Sequence, residues 1–160
     1  MKAFWVLLLL VIAPTVVFAD EQEERVVTCL GGMGTTTTWG ECLNQLFAPC
    51  AAETLGSEGH VACLTVVYDG WFQSLEGDVE ATMEILPQAG KADLKGLLSA
   101  WHKFSGEKCA GVAAGREGTE ASAAELGCHI SETVLFSHEL RRCQAGLSEE
   151  IYCVGKGKSE

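Results

Sequence analysis

Apolar positions recur along this chain with helical period. Between Glu58 and Leu86, Val61, Leu64, Tyr68, Trp71, Leu75, Val79, Met83 and Leu86 follow one another by three or four residues, so one face of a single long helix would bury all eight. Its opposite side carries Asp69, Glu76, Asp78, Glu80 and Glu84, and Pro87 followed by Gly90 closes it. Tyr68, Trp71 and Phe72 would suit a ligand groove, but an aromatic stripe at this spacing reads as core. Upstream, Leu43, Leu46, Phe47 and Cys50 predict a shorter helix from Trp39 to Ala52, slowed by Pro49. Downstream, a third helix is predicted from Ala92 to Ala110, with Leu94, Leu97, Leu98, Trp101 and Phe104 inward. Gly111 to Gly118 is a glycine-rich loop. Thr119 then stands ready to cap a fourth helix, with Glu120 in its first turn and His138, Arg141 and Arg142 in its last, charges that suit the two ends of the helix dipole. No stretch alternates with period two for long enough to make a sheet. The expected fold is all-α, a small antiparallel helical bundle stapled by disulfides.

The flanks read differently. Met1-Lys2, an apolar run from Ala3 to Phe18 and compact residues to Ala19 make residues 1–19 a signal peptide. The run is short for a membrane span, an acidic segment follows it, and no second such run occurs, so no stable membrane insertion is expected. Residues 20–38 are acidic, then rich in glycine and threonine. They resist helix and offer little to bury, which predicts an extended arm tied down by Cys29. The helical domain then occupies 39–143, with 144–160 a short tail pinned by Cys143 and Cys153.

Cysteines stand at 29, 42, 50, 63, 109, 128, 143 and 153. An even number in an exported chain predicts four disulfides, with the partners left open. No Cys-x-x-Cys pair exists, and His60, His102, His129 and His138 are scattered without ligand spacing, which argues against zinc, covalent haem and thioredoxin-type redox chemistry.

The formal charge is −11, and −12 once Lys2 leaves with the leader. Nucleic acids and anionic lipids, which demand a basic surface, are poor partners for such a chain. A basic protein is a favoured one, drawn in by long-range attraction. Catalytic signatures are missing: no Gly-x-Ser-x-Gly, no His-Glu-x-x-His, no His-x-Glu. Gly155-Lys156-Gly157-Lys158-Ser159 imitates half a phosphate loop, but Tyr152 occupies the place of its first glycine. The carboxylates from Asp69 to Glu84 would suit acid–base cleavage of a glycoside, yet they lie on a solvated helical face. His102 and His129 have no nucleophile at readable spacing. We therefore expect no catalytic residue, cofactor or metal, and a partner-binding flank made of Glu76, Asp78, Glu80 and Glu84.

Trp101-His102-Lys103-Phe104 followed by Cys109 resembles the Trp-x-x-Tyr/Phe-x4-Cys segment of the LprI-type lysozyme-inhibitor N-terminal domain. Gly118-Thr119, Cys128, Thr133 and Leu140 fall where that family has a small turn, its second cysteine, a threonine and a leucine. The entry Cys42-x7-Cys50-x12-Cys63, then Tyr68-Asp69 and Leu75, is similar to a cysteine-rich subgroup. The chain departs from the pattern at Leu98, Ser105 and Gly106, where the family usually has a glutamine and an Arg-Asp pair, and at Phe136, where it has a basic or amide residue. The resemblance implies that Cys109 pairs with Cys128, which would also staple the glycine-rich connection. It further implies an exported, non-enzymatic binding module, periplasmic or secreted, that inhibits a basic lysozyme-like hydrolase. The alternatives are an enzyme acting on envelope polymers through its carboxylates and a structural envelope protein.

Overall fold

The computed structural model describes residues 25–30, 39–147 and Cys153. The expected leader, residues 20–24 and 31–38, the side chains at positions 39 and 43 and most of the tail lie outside the described residues. Helices α1 (Trp39–Phe47), α2 (Glu58–Ile85), α3 (Gln88–Ala113) and α4 (Gly118–Gln144) follow in order, with a 3-10 turn, Ala48–Cys50, after α1. Among the described residues there is no strand, and no helix is long and apolar enough to cross a membrane.

Local chemistry sets the ends of these helices. Ser57 caps α2, its side chain accepting from the His60 N–H at 3.1 Å. At the other end Leu86 is extended (φ −83°, ψ 144°), as a residue before proline prefers, and Pro87 starts α3. The α2–α3 turn is therefore tight, and Leu86 is buried in it. Helix α4 ends with Gly146 at φ 71°, so that the N–H groups of Gly146 and Leu147 reach back to the carbonyls of Cys143 and Arg142 at 3.0 and 2.8 Å.

Cross-helix pairs define the topology. Gly56 meets Thr119, Tyr68 meets His129, Asp78 meets Ser137 and Thr82 meets Gln144, a rising series that makes α2 and α4 parallel. Trp101 meets Phe136, Lys108 meets Glu132 and Cys109 meets Cys128, a falling series that makes α3 antiparallel to α4. The path is up, down, up, with α4 packed against both of the others and the backbones of α2 and α3 held apart along most of their length. Two apolar clusters fill the interior. One joins Val26, Leu30 and Leu46 to Leu64, Trp71, Ile130 and Val134; the other joins Leu75, Leu86, Leu94, Phe136 and Leu140.

Four expectations need correction. The described part of the expected arm, 25–30, is helical, and Val26, Cys29 and Leu30 are buried because their i, i+3, i+4 spacing puts them on one face. Phe104 is 57% exposed; the inward line of α3 runs instead through Leu94, Trp101, Ser105 and Cys109, one turn-step round the helix. The glycine-rich loop shrinks to the four residues between Ala113 and Gly118, because the helix absorbs Gly111, and Gly115 at φ 84° makes the reversal. Thr119 does not cap α4. Glu117 holds the N-cap position without a side-chain cap, and the Thr119 hydroxyl donates across to the Gly56 carbonyl.

The disulfides join neighbours in sequence: Cys29–Cys42, Cys50–Cys63, Cys109–Cys128 and Cys143–Cys153. Cys109–Cys128 links α3 to α4 across the turn. With 19 residues of separation, replacing both of its cysteines by alanine should destabilise by about 3 kcal/mol. Chemical denaturation of the double variant against the parent measures this, and non-reducing peptide mapping checks the pairing itself.

Candidate protein-binding face

Helix α2 carries six carboxylates and neither lysine nor arginine. Glu76, Glu80 and Glu84 are spaced by four, which stacks them along one line of the helix, and all three are exposed. Asp69 is exposed as well, two turns before Glu76. None of these four side chains makes an ion pair among the described residues. This arrangement opposes helix stability. Like charges at i, i+4 repel, and anions near a C-terminus face the negative end of the dipole. Converting Glu80 and Glu84 to glutamine should therefore raise the melting temperature slightly, by roughly a few tenths of a kcal/mol in stability. Calorimetry reads it, and a fall would mean that these carboxylates support the fold.

Asp78 does not belong to that flank. It follows Glu76 by two residues, about 200° round the helix, and its side chain is only 12% exposed. There it faces α4. Arg141 Nε donates to both Asp78 carboxylate oxygens at 3.1 and 2.9 Å, and Arg141 Nη2 donates to Ser74 Oγ at 2.8 Å. The Ser137 hydroxyl donates to the same carboxylate. Gln144 Nε2 bridges the Asp78 carbonyl and Thr82 Oγ1, each at 3.0 Å. Ser74, Asp78 and Thr82 on α2, with Ser137, Arg141 and Gln144 on α4, thus form a satisfied polar seam between two parallel helices. Its sequence signal is a four-residue polar repeat on a face that is otherwise apolar.

An aromatic series runs across all three long helices. Phe136 stacks on Trp101 at 4.9 Å with planes 12° apart; His102 lies 4.9 Å from Trp101 and 6.5 Å from Phe72; Tyr68 lies 5.8 Å from Phe72 and 5.9 Å from His129. Residue Phe136, where the LprI-type pattern has a polar group, here supplies the stacking partner of Trp101. Tyr68 and Phe72 are half-buried and His102 is exposed, so the stripe is partly core and partly surface. Burial, then the neighbouring Asp69 charge, pushes the Tyr68 hydroxyl above its ordinary 10.0. His60 is occupied locally, its Nδ1 accepting from the Gly56 N–H at 3.2 Å. His138 is held below its ordinary 6.5, chiefly by burial and, against the pull of Glu139, by Arg142 and Arg141. Its folded form favours the neutral ring, so its contribution to stability is present above the ordinary value and is lost as pH falls through the depressed one.

Among the described residues no group of three or more His, Cys, Asp or Glu could hold a metal ion. A shallow depression of about 590 Å³ lies where the starts of α2 and α4 converge, lined by Leu55, His60, Arg116 and Glu120 among others. No family model, curated protein or solved structure matches the chain.

Proposed function

We propose that this chain is an exported, disulfide-stapled helical module that binds a basic protein through the exposed face of α2, with lysozyme-like hydrolases as the partner class. The observation that carries this reading is the line Asp69, Glu76, Glu80 and Glu84. These carboxylates oppose the helix that bears them and neutralise no cation among the described residues. Charge held at a local cost to stability is the mark of a surface kept for an encounter. The disulfides support an oxidising compartment for the chain, in keeping with a hydrolase met outside the cytoplasm, and the LprI-type resemblance points to the same partner.

Titrating the protein into a basic lysozyme at low salt should depress its activity, and raising the salt should restore it. Changing any one glutamate of the line to glutamine should leave this titration nearly unmoved, because exposed charges act collectively. Release of product from peptidoglycan by the protein alone would replace this reading with the enzymatic one.

A further inference from the structure

Resting on this reading, we infer that Tyr68 and Phe72 form a cation-accepting subsite on the binding face, taking an arginine or lysine side chain of the basic partner against their rings. The two residues are one turn apart on α2, their centroids 5.8 Å from each other, and both are half-buried, so each is anchored in the bundle while an edge or face reaches solvent. Carboxylates bracket them: Asp69 beside Tyr68, and Glu76 one turn beyond Phe72, both exposed. A cation drawn to the acidic line thus meets aromatic rings within its own reach, and ring quadrupoles attract a partly desolvated guanidinium or ammonium. The protein already uses this contact elsewhere, with Lys108 Nζ 5.8 Å from the centroid of Phe104. No such internal cation is seen over Tyr68 or Phe72 among the described residues. His102, 6.5 Å from Phe72, flanks the rings on the α3 side. Lys103 beside it in sequence is exposed.

The division of labour has a kinetic signature. The carboxylate line acts at a distance and sets the rate of encounter, which salt screens; the rings act only in contact and set the rate of departure. Phe72→Leu keeps an apolar side chain at the half-buried position and removes the ring face. It should speed dissociation about two- to fivefold, by the same factor at low and raised salt.

The test is a titration of a hexa-arginine peptide, isotope-labelled in its side chains, into the wild-type protein, the Phe72→Leu variant and the Glu76/Glu80/Glu84→Lys variant, followed by NMR and by association and dissociation rates. The inference predicts upfield ring-current shifts of the arginine side-chain protons with the wild type, smaller shifts and faster release with Phe72→Leu, and circular dichroism unchanged. Binding that the charge reversal weakens while Phe72→Leu leaves it unmoved, with no ring-current shift, overturns the subsite and spares the electrostatic reading. Ring-dependent binding that survives the charge reversal upholds the subsite and overturns that reading. Failure of the wild type to bind the peptide overturns the subsite, and the wild-type ring-current measurement stands even if a variant does not fold.

Discussion

Replacing Asp78 by leucine should destabilise the protein by about 3 kcal/mol, at the lower end of what losing one partner of a buried ion pair costs. The change would take the carboxylate from the Arg141 guanidinium, whose side chain is 25% exposed, and put an apolar surface in its place, while the hydrogen bond to Ser74 Oγ remains. Ser137 would lose its acceptor at the same time. The lower end of the range applies because solvent reaches Arg141 in part. Because the loss comes from a stranded charge more than from a missing attraction, Asp78→Leu combined with Arg141→Met should recover most of it. Urea denaturation of the two single variants and the double variant closes the cycle. Equal, additive losses would show that the seam carries no coupling. Asp78 must also be excluded from any charge reversal aimed at binding, since its loss would be read as lost affinity when it is lost fold.

Trp71→Ala should cost about 3 to 5 kcal/mol. The ring is buried among Leu64, Ile130 and Val134, at the point where the N-terminal cluster meets the α2–α4 interface. Removing it leaves a void in a cluster that also holds Cys29, Cys42 and Cys50, whose disulfides Cys29–Cys42 and Cys50–Cys63 limit how far that cluster can collapse. Thermal unfolding with the disulfides intact measures the loss. An unchanged midpoint would place the ring outside the core.

Helix α2 was legible in the sequence because its apolar spacing is long and uninterrupted and Pro87 ends it. The structure buries Leu64, Trp71, Leu75 and Leu86 from that line and half-buries the other four. Asp78 departs from the exposed flank for a physical reason: it stands in the arc that α2 turns to α4, and a carboxylate can sit in that arc when an arginine meets it. That arginine is 63 residues away, beyond any local pattern. Helix α4 was read from its ends and not from its middle. It packs on two sides, so its buried set includes Glu132, Thr133 and Ser137, and the apolar period is diluted. Phe104, three residues after Trp101, continues the apolar spacing of α3 and so reads as inward, whereas Ser105, small enough to let α3 approach α4, takes the buried position. The acidic line was visible in the sequence as to Glu76, Glu80 and Glu84. Of the aromatic series, Tyr68 and Phe72 stand out in the sequence as part of a stripe, whereas their link through His102 and His129 to α3 and α4 joins residues far apart in the chain and leaves no local pattern.

We propose that the carboxylate line on α2 draws in a basic protein. The most direct test is the association rate constant with a basic lysozyme, measured against ionic strength for the wild type and for the Glu76/Glu80/Glu84→Lys variant. The wild-type rate should fall steeply as salt rises, and the variant rate should be slow at low salt and nearly flat, with both proteins equally helical. Identical rate constants and salt slopes for the two proteins would contradict the proposal.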